Sequence, residues 1–239
     1  MVNKMNRNLE SMVTPELIKT LLSWPLLTDW VTTGKIPDHL LKAVILGGVS
    51  GLTADHKPRI LSDWLKMTFN SDHVSITEVE EVILQTLLFA GFPRTIEALT
   101  VLRKLTPENT PPKNHQRFPS EKQGAITCET IYGTKFDRLL VNMNRLHPDL
   151  TQWMLADGYG RVLSRTGLEL KYREWAVLVA LMVTGMVNQF KAHRRGMANV
   201  GWSEDDIIWL TNLFAFIIPQ ELKAEFSAIQ TVQNADDGR

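Results

Sequence analysis

The chain has a single cysteine, Cys128, among its 239 residues. An intrachain disulfide is therefore impossible, which excludes a disulfide-stapled secreted domain and makes a reducing, cytoplasmic setting the expectation. Neither sign of charge is in excess: 26 Lys+Arg balance 26 Asp+Glu. No bulk attraction to a polyanion follows, and no window interleaves basic with aromatic residues, so no nucleic-acid partner is expected. No apolar run reaches the roughly 20 residues that cross a bilayer. The most apolar one, "WAVLVALMVTGMV" (175–187), reads as a buried helix, and the N-terminus carries positive charge without an apolar segment behind it. Neither a membrane partner nor a signal peptide is expected. Also missing are Gly-x-Gly-x-x-Gly, a P-loop, Gly-x-Ser-x-Gly and His-Glu-x-x-His, and the six histidines follow no metal-ligand spacing. No metal, nucleotide, serine nucleophile or other cofactor is expected. Alternating β-branched stretches are lacking too, so the fold class is all-α.

What is present is helical patterning on a chain that is 44% hydrophobic, enough for a sizeable core. In "SITEVEEVILQTLLFAGFP" (75–93), Thr77 is the expected N-cap with Glu80 completing a capping box. Val79, Val82, Ile83, Leu87 and Ala90 then recur at helical spacing, and Gly91-Phe92-Pro93 breaks the run. Gly91 is expected in the left-handed conformation of a helix end. "GWSEDDIIWLTNLFAFIIP" (201–219) has the same plan: Ser203 is the N-cap, Asp206 stands at the box position, and Pro219 closes the run. Placing Thr77 on Ser203 puts Pro93 on Pro219 without a gap. Upstream, Ala43-Val44 falls on Ala176-Val177 in a shifted register, so the first half carries an insertion.

Two halves with one helix order imply an internal duplication; the plainer alternative is that amphipathic helices resemble each other. Between them lies "TPENTPPKNHQRFPSEKQG" (106–124), which holds four of the eleven prolines and reads as a linker. The organisation expected is an N-terminal repeat over 1–105, a linker over 106–134 and a C-terminal repeat over 135–239. Within the last, one helix stops before Pro148 and another follows.

These residues carry a family resemblance. "ITEVEEVILQTLLFAGFPRTIEAL" resembles the end of the core helix in the carboxymuconolactone decarboxylase family, with its Ala-Gly-Phe-Pro corner. "HPDLTQWMLADGYGRVLSRTGLELKYRE" is similar to the segment leading into the functional helix of two-repeat members, and "NQFKAHRRGMANVGWSEDDI" to the stretch that follows it. The resemblance implies a tandem repeat of the carboxymuconolactone decarboxylase/alkylhydroperoxidase-D-like helical unit, assembled as a homo-oligomer with a trimer favoured. The C-terminal repeat would carry the site, and the N-terminal repeat would be mainly scaffold, with His56 the one residue there that could line a pocket.

The resemblance also selects site residues. The Glu, Cys, Cys and His of the alkylhydroperoxidase-D branch fall on Glu174, Met186, Gln189 and His193. Both thiols are missing, so dithiol peroxide chemistry is not expected. What remains is the Glu plus Gln-x-x-x-His arrangement of decarboxylase-like members. Gly185 would end one helix and Asn188 cap the next, placing Gln189 and His193 on one face. The implied roles are His193 as general acid/base, Glu174 orienting it, and Gln189 hydrogen-bonding the substrate carbonyl or oxyanion. Of Arg194 and Arg195, at most one faces the site, to attract a carboxylate. Without the resemblance, a Glu and a His on two helices are no signal of catalysis and read as a structural pair.

The implied function is a cofactor-independent lyase or isomerase acting on a small carboxylated or lactone-bearing molecule. The alternatives are a non-catalytic oligomeric binding or scaffold protein and, behind it, a peroxidase-like antioxidant without the dithiol. Seven tryptophans are read chiefly as core and interface anchors, with Trp175 beside Glu174 the candidate to line a pocket instead.

Overall fold

The structure is a computed structural model that describes residues 23–107 and 120–236. Among these, every regular element is helical and there is no strand, as the patterning implied. The first half holds α1 (Trp24–Thr32), α2 (Asp38–Ala54), α3 (Pro58–Phe69) and α4 (Ile76–Leu105). The second holds α5 (Glu121–Tyr132), α6 (Phe136–Leu146), α7 (Pro148–Trp153), a π-helical stretch (Met154–Leu163), α8 (Leu170–Thr184), α9 (Val187–Asn199), α10 (Glu204–Leu213) and α11 (Lys223–Asp236).

Helices α2 and α8 are buried all round because both lie at the centre: residues 43–54 and 172–182 are buried without interruption. Their backbones approach closely because α2 offers glycines where indoles must sit. A Cβ on Gly47 would stand 2.6 Å from Trp175 Nε1, and one on Gly48 2.2 Å from Trp64 Cζ2. The indoles also find acceptors. Trp175 Nε1 donates to the Ala43 carbonyl at 2.7 Å and Trp64 Nε1 to that of Ile45 at 3.0 Å. Ser50 Oγ donates to the Ala176 carbonyl at 2.6 Å. Trp175 is thus a core residue and lines no cleft.

Helix α4 starts two residues earlier than expected. Ser75 is its N-cap, and Glu78 completes the capping box: Ser75 Oγ accepts from the Glu78 amide at 3.3 Å and the Ser75 amide donates to Glu78 Oε2 at 2.8 Å. Thr77 lies inside the helix, and Glu80 turns inward to pair with Arg103. The break falls where expected, but Gly91 has φ 80° and ψ 170°, which is outside the left-handed helical region and open essentially to glycine alone. Pro93 then sits in the first turn of the next segment, where its missing N–H costs nothing. By composition Ile76–Leu105 is long enough to cross a bilayer, yet the break divides it into pieces shorter than the roughly 20 residues needed.

In the second half Ser203 caps α10 as expected, accepting from the Asp206 amide at 3.1 Å. The helix does not run to Pro219. It ends at Leu213, a 3-10 turn follows at Ala215–Ile217, and Pro219 opens a further 3-10 turn. The box residues Ser75 and Glu78 therefore answer Ser203 and Asp206, a register that does not superpose Pro93 on Pro219. The 106–134 segment also differs from expectation. Its later part is α5, which buries Gly124, Thr127, Cys128 and Ile131 against the π-helical stretch.

Candidate functional site

The site begins with a helix end. α8 terminates at Gly185, as expected, and Gly185 takes the left-handed conformation (φ 69°, ψ 24°). The N-cap of α9 is Met186 and not Asn188, which falls inside the helix. The sharp reversal lays α9 back along α8, and so Glu174 and His193, expected from the resemblance, meet. His193 Nδ1 lies 2.8 Å from Glu174 Oε2, and both side chains are buried. A carboxylate only accepts, so the proton sits on Nδ1 and the carboxylate sets the ring orientation. Gly196, one turn below His193, leaves room for this: a Cβ there would be 2.7 Å from Ile131 Cγ2 and 3.4 Å from Glu174 Oε2. Glu174 Oε1 is buried with no hydrogen-bond partner among the described residues.

The face of His193 away from Glu174 meets aromatic side chains that sequence reading missed. Tyr132, the last residue of α5, brings its hydroxyl to 3.5 Å from His193 Nε2. Tyr159 comes from the π-helical stretch and packs edge-on against Tyr132. Phe89 of α4 closes the other side, edge-on to the imidazole. Cys128, one turn before Tyr132, is buried and feels the Glu174 charge. Burial, reinforced by the Glu174 carboxylate, pushes the Cys128 thiol and the Tyr132 phenol each up to about 12, and Tyr159 well above its ordinary value. A thiol held neutral is no nucleophile, in keeping with the missing second cysteine.

Tyr132 also forms part of the wall of a surface cleft of about 530 Å³ between α5, α6 and α9. Lys135, Arg138 and Arg195 line it, with Asn142 and Asn199. No carboxylate lies among its lining residues, so its field is positive. Arg195 is the arginine that faces the site. Arg194 turns into the core and pairs with Glu204.

The remaining expectations place as follows. Gln189 lies one turn ahead of His193, but its side chain is exposed and does not line the cleft. Met186 is exposed. His56 is exposed in the turn between α2 and α3 at φ 54° and lines no described cleft. His115 lies outside the described residues. No metal-binding group of His, Cys, Asp or Glu occurs among those described.

A second buried charge cluster holds α8 in place. Glu81 Oε2 accepts from Arg173 Nη2 at 2.8 Å and Glu81 Oε1 from Arg165 Nη2 at 2.8 Å. Gln85 Nε2 donates to the Arg173 carbonyl at 2.9 Å. Burial pulls the Arg173 guanidinium down from its ordinary value, while Glu81 opposes that shift. Since Arg173 precedes Glu174, this cluster fixes the start of the helix that presents the carboxylate.

The chain matches no protein-family model. It is similar to Peroxisomal protein 2 of Schizosaccharomyces pombe, 28% identical over 204 residues that cover 80% of this chain and 90% of that protein. It is also similar to Peroxisomal protein 2 of Saccharomyces cerevisiae, 26% identical over 157 residues, covering 53% of this chain and 56% of that one.

Proposed function

We propose that the chain is a cofactor-independent acid–base catalyst, a lyase or isomerase of carboxymuconolactone decarboxylase type, acting on a small carboxylated or lactone-bearing molecule. The observation that carries this reading is the buried Glu174–His193 pair at 2.8 Å, connected through Tyr132 to a cleft lined by three cations. A carboxylate that orients an imidazole, beside a basic cleft, is suited to moving a proton to or from carbon next to a carbonyl. The cations stabilise the substrate's carboxylate and the dienolate left when CO₂ departs. The tandem-repeat organisation and a homotrimer belong to the same proposal. Leu146, Leu150 and Trp153, exposed on the consecutive helices α6 and α7, support an assembled state. The name of the two yeast relatives makes the peroxisome the first compartment in which to look for the protein.

The test is decarboxylation of γ-carboxymuconolactone, followed by ultraviolet absorbance and CO₂ release, with His193→Ala alongside. Turnover that vanishes in the variant supports the reading; a wild-type protein inactive on this and on related carboxylated lactones refutes it. The alternative, a non-catalytic binding protein on this fold, draws on one observation: His193 is buried and does not itself line the cleft. Binding of a small carboxylate without turnover is the outcome it expects.

A further inference from the structure

The imidazole that an acid–base mechanism needs is sealed from the cleft, and the group standing between them is a phenol. Resting on the functional reading above, we propose that Tyr132 is the catalytic residue that meets the substrate, and that Glu174 and His193 are positioning residues that supply its proton from behind.

Three features carry this. Tyr132 belongs both to the buried group, at 3.5 Å from His193 Nε2, and to the lining of the cleft, whereas His193 and Glu174 belong only to the former. Tyr159 packs edge-on against Tyr132, 6.4 Å between ring centroids, and holds the phenol between the imidazole and the cleft. The cations Lys135, Arg138 and Arg195 line the same cleft, where they would hold a substrate carboxylate within reach of that hydroxyl.

The proton path balances. When the substrate's C–CO₂⁻ bond breaks, the electron pair passes into the dienolate and CO₂ leaves. The Tyr132 O–H delivers its proton to the carbanionic carbon. The Nε2–H of protonated His193 refills the phenol oxygen, leaving a neutral imidazole held by Glu174 through Nδ1–H. Once product leaves, the Tyr132 hydroxyl passes its proton to His193 Nε2 and takes another from water in the cleft, which restores both groups.

The chain has three tyrosines, Tyr132, Tyr159 and Tyr172, so tyrosine labelled with ¹³C at Cζ yields three resonances that Tyr→Phe variants assign. Citrate, an unreactive polycarboxylate, serves as the probe. The expected result is a saturable shift of the Tyr132 resonance, with Tyr172 unmoved and the response lost in Arg138→Ala/Arg195→Ala. His193→Gln should move the Tyr132 resonance before any citrate is added. A Tyr132 resonance that millimolar citrate leaves in place overturns the proposal, whether the anion binds elsewhere or nowhere.

In the decarboxylation assay, Tyr132→Phe should lower kcat by about 10²-fold or more with KM little changed. Turnover kept in Tyr132→Phe but lost in His193→Ala overturns this inference and leaves the functional reading standing. If the wild type does not turn over, the functional reading fails, and the citrate shift alone decides whether Tyr132 is the group that meets the ligand.

Discussion

Glu174 Oε2 and the Tyr132 hydroxyl lie on opposite sides of one imidazole, at 2.8 Å from Nδ1 and 3.5 Å from Nε2 of His193. The ring is thereby fixed in orientation, and its protonation decides whether Nε2 accepts from the phenol or donates to it. Glu174→Gln keeps the size and one possible hydrogen bond but removes the charge. Turnover should fall by about 10²-fold or more, the low end of a general acid–base contribution, while the circular dichroism spectrum and oligomeric state stay as in wild type. Steady-state kinetics beside size-exclusion light scattering checks both parts. Equal rates in Glu174→Gln and wild type would remove the carboxylate from the mechanism.

The lone cysteine makes a prediction about pH. In the folded chain Cys128 and Tyr132 hold their protons up to about 12, whereas their ordinary values are 9.0 and 10.0. Below about 9 both states are protonated and the stabilisation is complete. Between about 9 and 12 the unfolded chain has released protons that the folded chain keeps, so stability must fall as pH rises. The melting temperature should therefore decline through this range, and less steeply in Cys128→Ala. Ellman's reagent should label the native protein slowly near neutral pH and the urea-unfolded protein at once. Fast native labelling would contradict a sealed, neutral thiol.

How far the sequence could be read depended on whether local chemistry had one answer. The cap at Ser203, the stop before Pro148 and the helix end at Gly185 each had one, and the structure agrees. At the start of α4 two capping boxes overlap, Ser75 with Glu78 and Thr77 with Glu80. The choice falls to the first because Glu80 is drawn inward by Arg103, a partner on the far part of the same broken helix. Prolines hid α5: its buried positions, Gly124, Thr127, Cys128 and Ile131, do have helical spacing, but two of them are not apolar. Missing α5 meant missing Tyr132, and with it the link from His193 to the cleft. Pairing of Glu174 with His193 was reachable only through the family resemblance, since no local pattern joins residues on two helices.

Removing Glu81 should cost more than a typical substitution. Arg173 is 1% exposed and shares this carboxylate with Arg165. Glu81→Ala strips a buried guanidinium of its counter-charge, a change that costs about 3–5 kcal/mol. Glu81→Gln, which keeps an acceptor, should cost less. Urea unfolding measures both. Because Arg173 precedes Glu174, residual folded Glu81→Ala should also lose turnover, without any contact between Glu81 and substrate. A variant as stable as wild type would show that the cluster contributes nothing net.

Gly91 separates conformational cost from steric cost. Its φ of 80° and ψ of 170° lie where an L side chain is strained, yet an added Cβ would meet only Pro93 Cδ, at 3.8 Å. Crowding therefore explains none of the penalty, and Gly91→Ala and Gly91→Val should both destabilise chiefly through the backbone, by about 1–3 kcal/mol. Replacement by D-alanine in a semisynthetic protein, which favours positive φ, should recover most of the loss. Turnover per folded molecule should fall only where the altered corner shifts Phe89, which lies two residues before the break and packs edge-on to His193. If Gly91→Ala proved as stable as wild type, the chain would have to pass the corner in another conformation, and the two parts of α4 would meet at a different angle.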